Sequence, residues 1–129
     1  WQHVLEPLSG YLTLAEKLFT EGAAFAQAYN FGPVEEDAKS VQWIVEQLTQ
    51  RWGDGANWQV DDSAHPHEAH YLKLDCSKAR STLSWKPRWH LGQALQAIID
   101  WHKAHNTHAD RQTLRALCLQ QISDYSVDL

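Results

Sequence analysis

Apolar residues recur at helical spacing in four stretches of the chain. The first runs through Leu8, Tyr11/Leu12, Ala15 and Leu18/Phe19, between Glu6-Pro7 and Gly22. Proline suits the first helical position, where its missing N–H would have no intrahelical partner, and a glycine just past the last turn is a common stop. The second carries Val41, Ile44/Val45, Leu48 and Trp52 and closes on Gly53, with Glu35, Glu36 and Asp37 ahead of it, where the helix macrodipole favours acids. The third follows Leu91, Ala94/Leu95, Ile98 and Trp101/His102. The fourth follows Leu114, Leu117/Cys118, Ile122 and Tyr125, with Asp110 as its cap. A short fifth helix is expected from Asp75 or Ser77 to Leu83, ended by Trp85-Lys86-Pro87.

Between these stretches the pattern suggests strands. Residues 1–5 read as the tail of a strand, and 24–31 as a buried strand with Phe25, Gln27, Tyr29 and Phe31 on one face. Residues 58–61 and 71–74 are two more. Asn30-Phe31-Gly32-Pro33 breaks the second of these, and Asp54-Gly55 is a turn pair. The expected fold is mixed α/β and helix-rich. It has four main helices, the short one near 77–83, and three or four short strands, too few for a complete Rossmann sheet. No internal repeat or low-complexity segment is visible.

Length and composition narrow the function classes. The 129 residues allow one domain, and 43% hydrophobic with 21% charged residues is ordinary globular composition. The net charge of −5, from 11 basic and 16 acidic residues, argues against a dedicated nucleic-acid binder, which needs a basic excess to displace counterions. No apolar run approaches the roughly 20 residues of a membrane span. Cys76 and Cys118 are too few for a disulfide framework and lie outside any CxxC spacing, which favours a reducing, cytoplasmic setting. The chain contains no Met and begins Trp1-Gln2-His3-Val4, so a processed product or a piece of a longer polypeptide is expected.

Candidate chemistry is sparse. His65, His67, Glu68 and His70 put four metal-capable groups within six residues, but not in the i, i+4 His spacing of a zinc-protease helix. The acid-free stretch between Cys76 and Ile99 carries Lys78, Arg80, Lys86 and Arg88 with Trp85 and Trp89 interleaved, a pattern that fits a packed turn better than a stacking platform. There is no nucleophile elbow and no Gly-rich phosphate loop. Cys118 lies on the apolar stripe of the last helix and is expected to be a small core residue.

The stretch from Leu72 to Pro87, LKLDCSKARSTLSWKP, resembles the ending of extended short-chain dehydrogenase/reductase enzymes that act on nucleotide sugars. Those chains carry an Asp, a Ser-Lys-Ala, then Leu-Gly-Trp-x-Pro and a helix ending in Trp. Asp75, Ser77-Lys78-Ala79, Leu83 to Pro87 and Trp101 take those places, with Ser84 where Gly is usual. Tyr29-Asn30-Phe31-Gly32-Pro33 resembles the family's Tyr-Asn-hydrophobic-Gly strand end, and Trp1 to Glu6 resembles the segment that follows an Arg in these enzymes. Trp1 through Leu18 and His67-Glu68-Ala69 are similar to the branch that dehydrates CDP-sugars.

The resemblance implies that residues 1–129 are a single C-terminal substrate-binding domain, inactive by itself, of an NAD-dependent nucleotide-sugar 4,6-dehydratase. In that family NAD takes hydride from sugar C4, water is lost across C5 and C6, and the hydride returns to C6. The NAD loop and the catalytic residues would lie in an N-terminal Rossmann domain outside this sequence, which leaves no catalytic or cofactor-binding residue in it. Relatives place Arg-x-x-Asp before the strand leading to Asp-x-Ser-Lys, the Arg on the diphosphate and the acid on the ribose. Counting back from Asp75 puts His65 at the Arg position and Glu68 at the acid position, with His67 between them. Trp1 would border the substrate pocket. His for Arg is a departure, since it loses the bidentate fork. The implied partners are a CDP-sugar, the parent's own Rossmann domain and further copies of the parent enzyme. Two other readings stay open: a small helical protein-interaction module, and a metal-binding domain built on His65, His67, Glu68 and His70.

Overall fold

Five α-helices make up the main regular structure among the residues described by the computed structural model, which are 1–61, 63 and 73–127. They are α1 (Leu5–Glu21), α2 (Val41–Trp52), α3 (Ser77–Leu83), α4 (Leu91–Asn106) and α5 (Arg111–Ser126). Their ends follow local chemistry. Gly22 and Gly53 leave α1 and α2 with φ of 76° and 70°, and Ser40 and Asp110 accept from the backbone N–H groups of Trp43 and Thr113 at the starts of α2 and α5. Asp75 accepts from the N–H of Ser77 at 2.8 Å ahead of α3. His90 and Gln93 form a reciprocal cap on α4. The acids at 35–37 make a separate 3₁₀ turn, in which buried Asp37 contacts the His90 ring at 3.2 Å.

The expected strands are not found among the described residues, where the fold is helical without a sheet. Leu5 already belongs to α1, 22–25 is a 3₁₀ turn, and 28–34, 56–61 and 73–76 are irregular. A ladder needs a neighbouring backbone in register, and residues 28–31 are held by side chains instead. Lys78 Nζ donates to Ala28 O at 3.1 Å, Gln2 Nε2 to Phe31 O at 2.9 Å, and Asn30 Nδ2 to Asp75 O at 3.1 Å. The alternation still marks an apolar side, since Phe25, Tyr29 and Phe31 all join one cluster while Gln27 turns out to solvent.

That cluster packs Phe31, Cys76, Ala79, Leu83 and Trp85 with Leu14, and so joins α1 to α3. A Cβ on Gly10 would sit 2.3 Å from the Phe31 ring, so the ring rests on bare backbone of α1. Trp85 meets Phe31 edge-on at 5.0 Å. A second cluster of Ile44, Leu91 and Leu95, with Trp43 and Leu48, seats α2 on α4, and α5 also packs on α4.

The helices are tied together by a buried acid. Glu6 is 0% exposed, in the first turn of α1. Its carboxylate accepts from the backbone N–H of Arg88 at 3.1 Å, the N–H of Trp89 at 2.8 Å and the hydroxyl of Tyr125 at 2.7 Å. Ser9, one turn on, accepts from Trp85 Nε1 at 2.9 Å and lies 3.0 Å from the Tyr125 hydroxyl. Arg88 donates to Tyr125 O at 3.1 Å and lies over the Tyr125 ring. Burial pushes the Tyr125 phenol up to about 12.

Two substitutions probe these features. Glu6→Leu removes the acceptor of the Arg88 and Trp89 N–H groups and leaves the Tyr125 hydroxyl only Ser9; it is expected to cost about 3 kcal/mol in urea unfolding, with Glu6→Gln costing roughly half as much. A Leu variant as stable as the parent would show the network to be dispensable. Ser84, which ends α3, holds a left-handed φ of 53° and ψ of 20°. Glycine has no Cβ penalty there, so Ser84→Gly should gain about 0.5–1 kcal/mol, seen as a higher urea midpoint; a lower one would contradict it.

Candidate functional site

Three stretches distant in sequence meet at one corner of the molecule: 1–3, 28–35 and 73–76. The Gln2 amide reaches Phe31 O, and the amide of Asn30 reaches Asp75 O. A Cβ on Gly32 would lie 3.2 Å from both Cys76 Sγ and Leu74 Cβ, so only a small residue lets these two segments approach so closely. Lys73 pairs with Glu35, which holds the Glu35 carboxyl below the usual range. Lys78 binds Ala28 O and sits 4.7 Å over the Tyr29 ring. The hydroxyl and N–H of Ser77 hold the Asp75 carboxyl below its ordinary value.

Of the expected site residues, Trp1 is described and lies at this corner, 60% exposed and next to the anchored Gln2. His65, His67 and Glu68, together with His70 of the metal reading, lie outside the described residues. Among the described residues no three His, Cys, Asp or Glu side chains come together as a metal site. Sequence reasoning missed Gln2, whose Oε1 is buried without a hydrogen-bond partner among the described residues, and Asn30. Asn30 lies in a quoted motif, but its role as a clamp depends on a residue 45 positions away.

The basic stretch is a packed turn. Trp85 is buried and bonded to Ser9, while Lys78 and Arg88 are spent on backbone carbonyls. The expectation for Cys118 is corrected: it is exposed. The inward side of α5 is held by Gln121, which donates to Ala97 O at 2.9 Å, and by Tyr125. Cys118 lines an open groove of about 310 Å³ with His3, Ile98, Trp101, His102 and Ile122. Burial lowers the His3 pKa there, with Glu6 opposing in part. Cys76 is buried, its Sγ 3.7 Å from Leu74 O.

No protein-family model matches the chain. The chain is similar to the CDP-glucose 4,6-dehydratase of Salmonella typhimurium, with 54% identity over 125 residues. That similarity covers 97% of this chain and 34% of the relative, so the chain spans about a third of the relative's length. No helix among the described residues is long and apolar enough to cross a membrane.

The two thiols should separate kinetically. Under native conditions a disulfide reagent should label Cys118 quickly, and Cys76 should react only after denaturation. Two equally fast thiols would contradict the burial of Cys76.

Proposed function

We propose that the chain is the substrate-facing, carboxy-terminal lobe of an NAD-dependent CDP-glucose 4,6-dehydratase, with residues 1–129 forming one substrate-binding domain. The observation that carries this is 54% identity spread over 97% of the chain, rather than confined to one motif. The meeting of parts of three resembling blocks, at Gln2, 29–33 and 73–76, at one corner supports it.

In this reading Glu68 accepts from the nucleotide ribose hydroxyls, His65 faces the diphosphate, His67 lies between them in sequence, and Trp1 borders the substrate pocket. A carboxylate suits the ribose because it accepts from two hydroxyls at once. His65 in place of the family Arg lacks the planar bidentate fork. The lobe binds and orients; the catalytic residues belong to the upstream Rossmann domain. When bound, NAD supplies hydride acceptance at the sugar. It is assigned to that domain because the family resemblance places the Gly-rich NAD loop upstream of Trp1. The parent enzyme is read as a cytoplasmic homo-oligomer acting in deoxysugar biosynthesis.

A titration of the chain with CDP, followed by amide NMR shifts, tests the site. Millimolar CDP should shift residues 65–68 and the Trp1 indole. No perturbation across 65–70 would remove the loop assignment. A native gene lacking a Gly-rich βαβ start and a Tyr-x-x-x-Lys upstream of Trp1 would remove the enzyme reading and favour a helical interaction module.

A further inference from the structure

Helix α1 starts without a cap from the residue just ahead of it. Val4 has no side-chain acceptor, and a helix start leaves its first backbone N–H groups without intrahelical partners. His3 supplies one instead. Its Nδ1 accepts from the Leu5 N–H at 3.3 Å, and its carbonyl accepts from the Glu6 N–H at 3.1 Å. The residue is 8% exposed, and its ring lies against the Trp89 indole with centroids 5.1 Å apart. An imidazole nitrogen accepts a hydrogen bond only while it carries no proton. Ser, Asp or Asn in this role keeps its acceptor through the neutral range, and His does not.

We infer that His3 is a proton-sensitive positioning residue: its neutral ring pins residues 1–3 at the corner with 28–35 and 73–76, and proton uptake releases them. The inference rests on the function proposed above, in which Trp1 borders the substrate pocket, so release lowers substrate affinity. Gln2, between Trp1 and His3, reaches Phe31 O at 2.9 Å and carries the change into the corner. Protonation at Nδ1 sets an N–H against the Leu5 N–H and puts a cation where little water reaches it. Few charged or titratable groups surround the ring. Glu6 lies in the first turn of α1, but its carboxylate is committed to the Arg88 and Trp89 N–H groups and the Tyr125 hydroxyl. His102 of α4 and Cys118 of α5 line the same groove. Arg88, next to Trp89, lies over the Tyr125 ring instead. Burial outweighs the Glu6 charge and holds the His3 pKa below its ordinary value. The unfolded chain takes up this proton near pH 6.5, roughly the free imidazole value, and the folded chain only at lower pH. The stability given by the neutral ring is therefore complete above about pH 6.5 and is lost as pH falls toward the lowered value.

An NMR titration of the 129-residue chain from about pH 8 to about pH 5 tests this without ligand. The His3 ring should titrate below the ordinary imidazole midpoint. The Trp1 indole and the Gln2 side-chain amide should shift with the same midpoint as His3. In His3→Asn, which keeps a neutral acceptor, that step at Trp1 and Gln2 should vanish. A His3 midpoint at or above about 6.5 would overturn the inference. So would Trp1 and Gln2 signals that stay still while His3 titrates, or the same step in His3→Asn. The first two of these outcomes need no variant, so they decide the matter even where His3→Asn folds poorly. In the full-length enzyme, KM for the CDP-sugar should rise roughly threefold more in the wild type than in His3→Asn between about pH 7.5 and 5.5, with kcat less affected. Equal rises in both would overturn the positioning role. Failure of the enzyme reading itself is seen separately, in the upstream sequence.

Discussion

A carboxylate removed from water needs donors, and Glu6 takes them from residues more than 80 positions away. The N–H groups of Arg88 and Trp89 belong to the turn between α3 and α4, and the hydroxyl of Tyr125 to the end of α5. Burying the acid therefore fixes the position of that turn and the angle at which the last helix returns to the first. It also fixes the rotation of α1 about its own axis. With Glu6 inward, Ser9, Gly10 and Thr13 face inward too, because they lie three, four and seven positions on.

The corner formed by 1–3, 28–35 and 73–76 follows from the same anchor. Glu6 holds the start of α1, which places Gln2 against Phe31; Phe31 fits only because Gly10 has no side chain. The ring then meets Trp85, whose indole is bonded to Ser9 on α1. Each contact closes a loop on α1. Segments that pair as extended chain elsewhere can here be held by single amides, Gln2 and Asn30, without a ladder. The corner is thus set by the packing of the lobe itself.

Helix ends were legible because their causes are local. Gly22, Gly53 and Asp110 each act on backbone groups within four residues, whereas Pro7 falls at the third position of α1 rather than the first, and the cap at Ser40 was hidden behind the acids at 35–37. The expected strands did not form among the described residues, because alternation at 25, 27, 29 and 31 reports burial of one side and not the presence of a partner strand. Three of those four positions did go inward. Cys118 was misplaced for a related reason: the stripe on α5 is apolar, but the helix is seated by Gln121 and Tyr125, which leaves Cys118 at a groove wall. Nothing near Glu6 in sequence announces its role, since an acid in a first helical turn ordinarily answers the macrodipole. Ser84 was legible only through resemblance. The position where Gly is usual has a left-handed backbone, which gives a physical reason for that glycine.

The hydrophobic period of α1 was read correctly as helix, and yet its apolar side is the one facing away from this lobe. Periodicity states that one side of a helix is kept from water; it does not state which neighbour keeps it so. In a self-contained domain the two coincide, because the only available core is the domain's own. In α1 they separate. The inward side is polar, held by hydrogen bonds to Glu6 and Ser9 and by close approach at Gly10, and the apolar side is left without cover among the described residues. Hydrogen bonding can seat a helix on one neighbour with high geometric precision while its hydrophobic area is reserved for another.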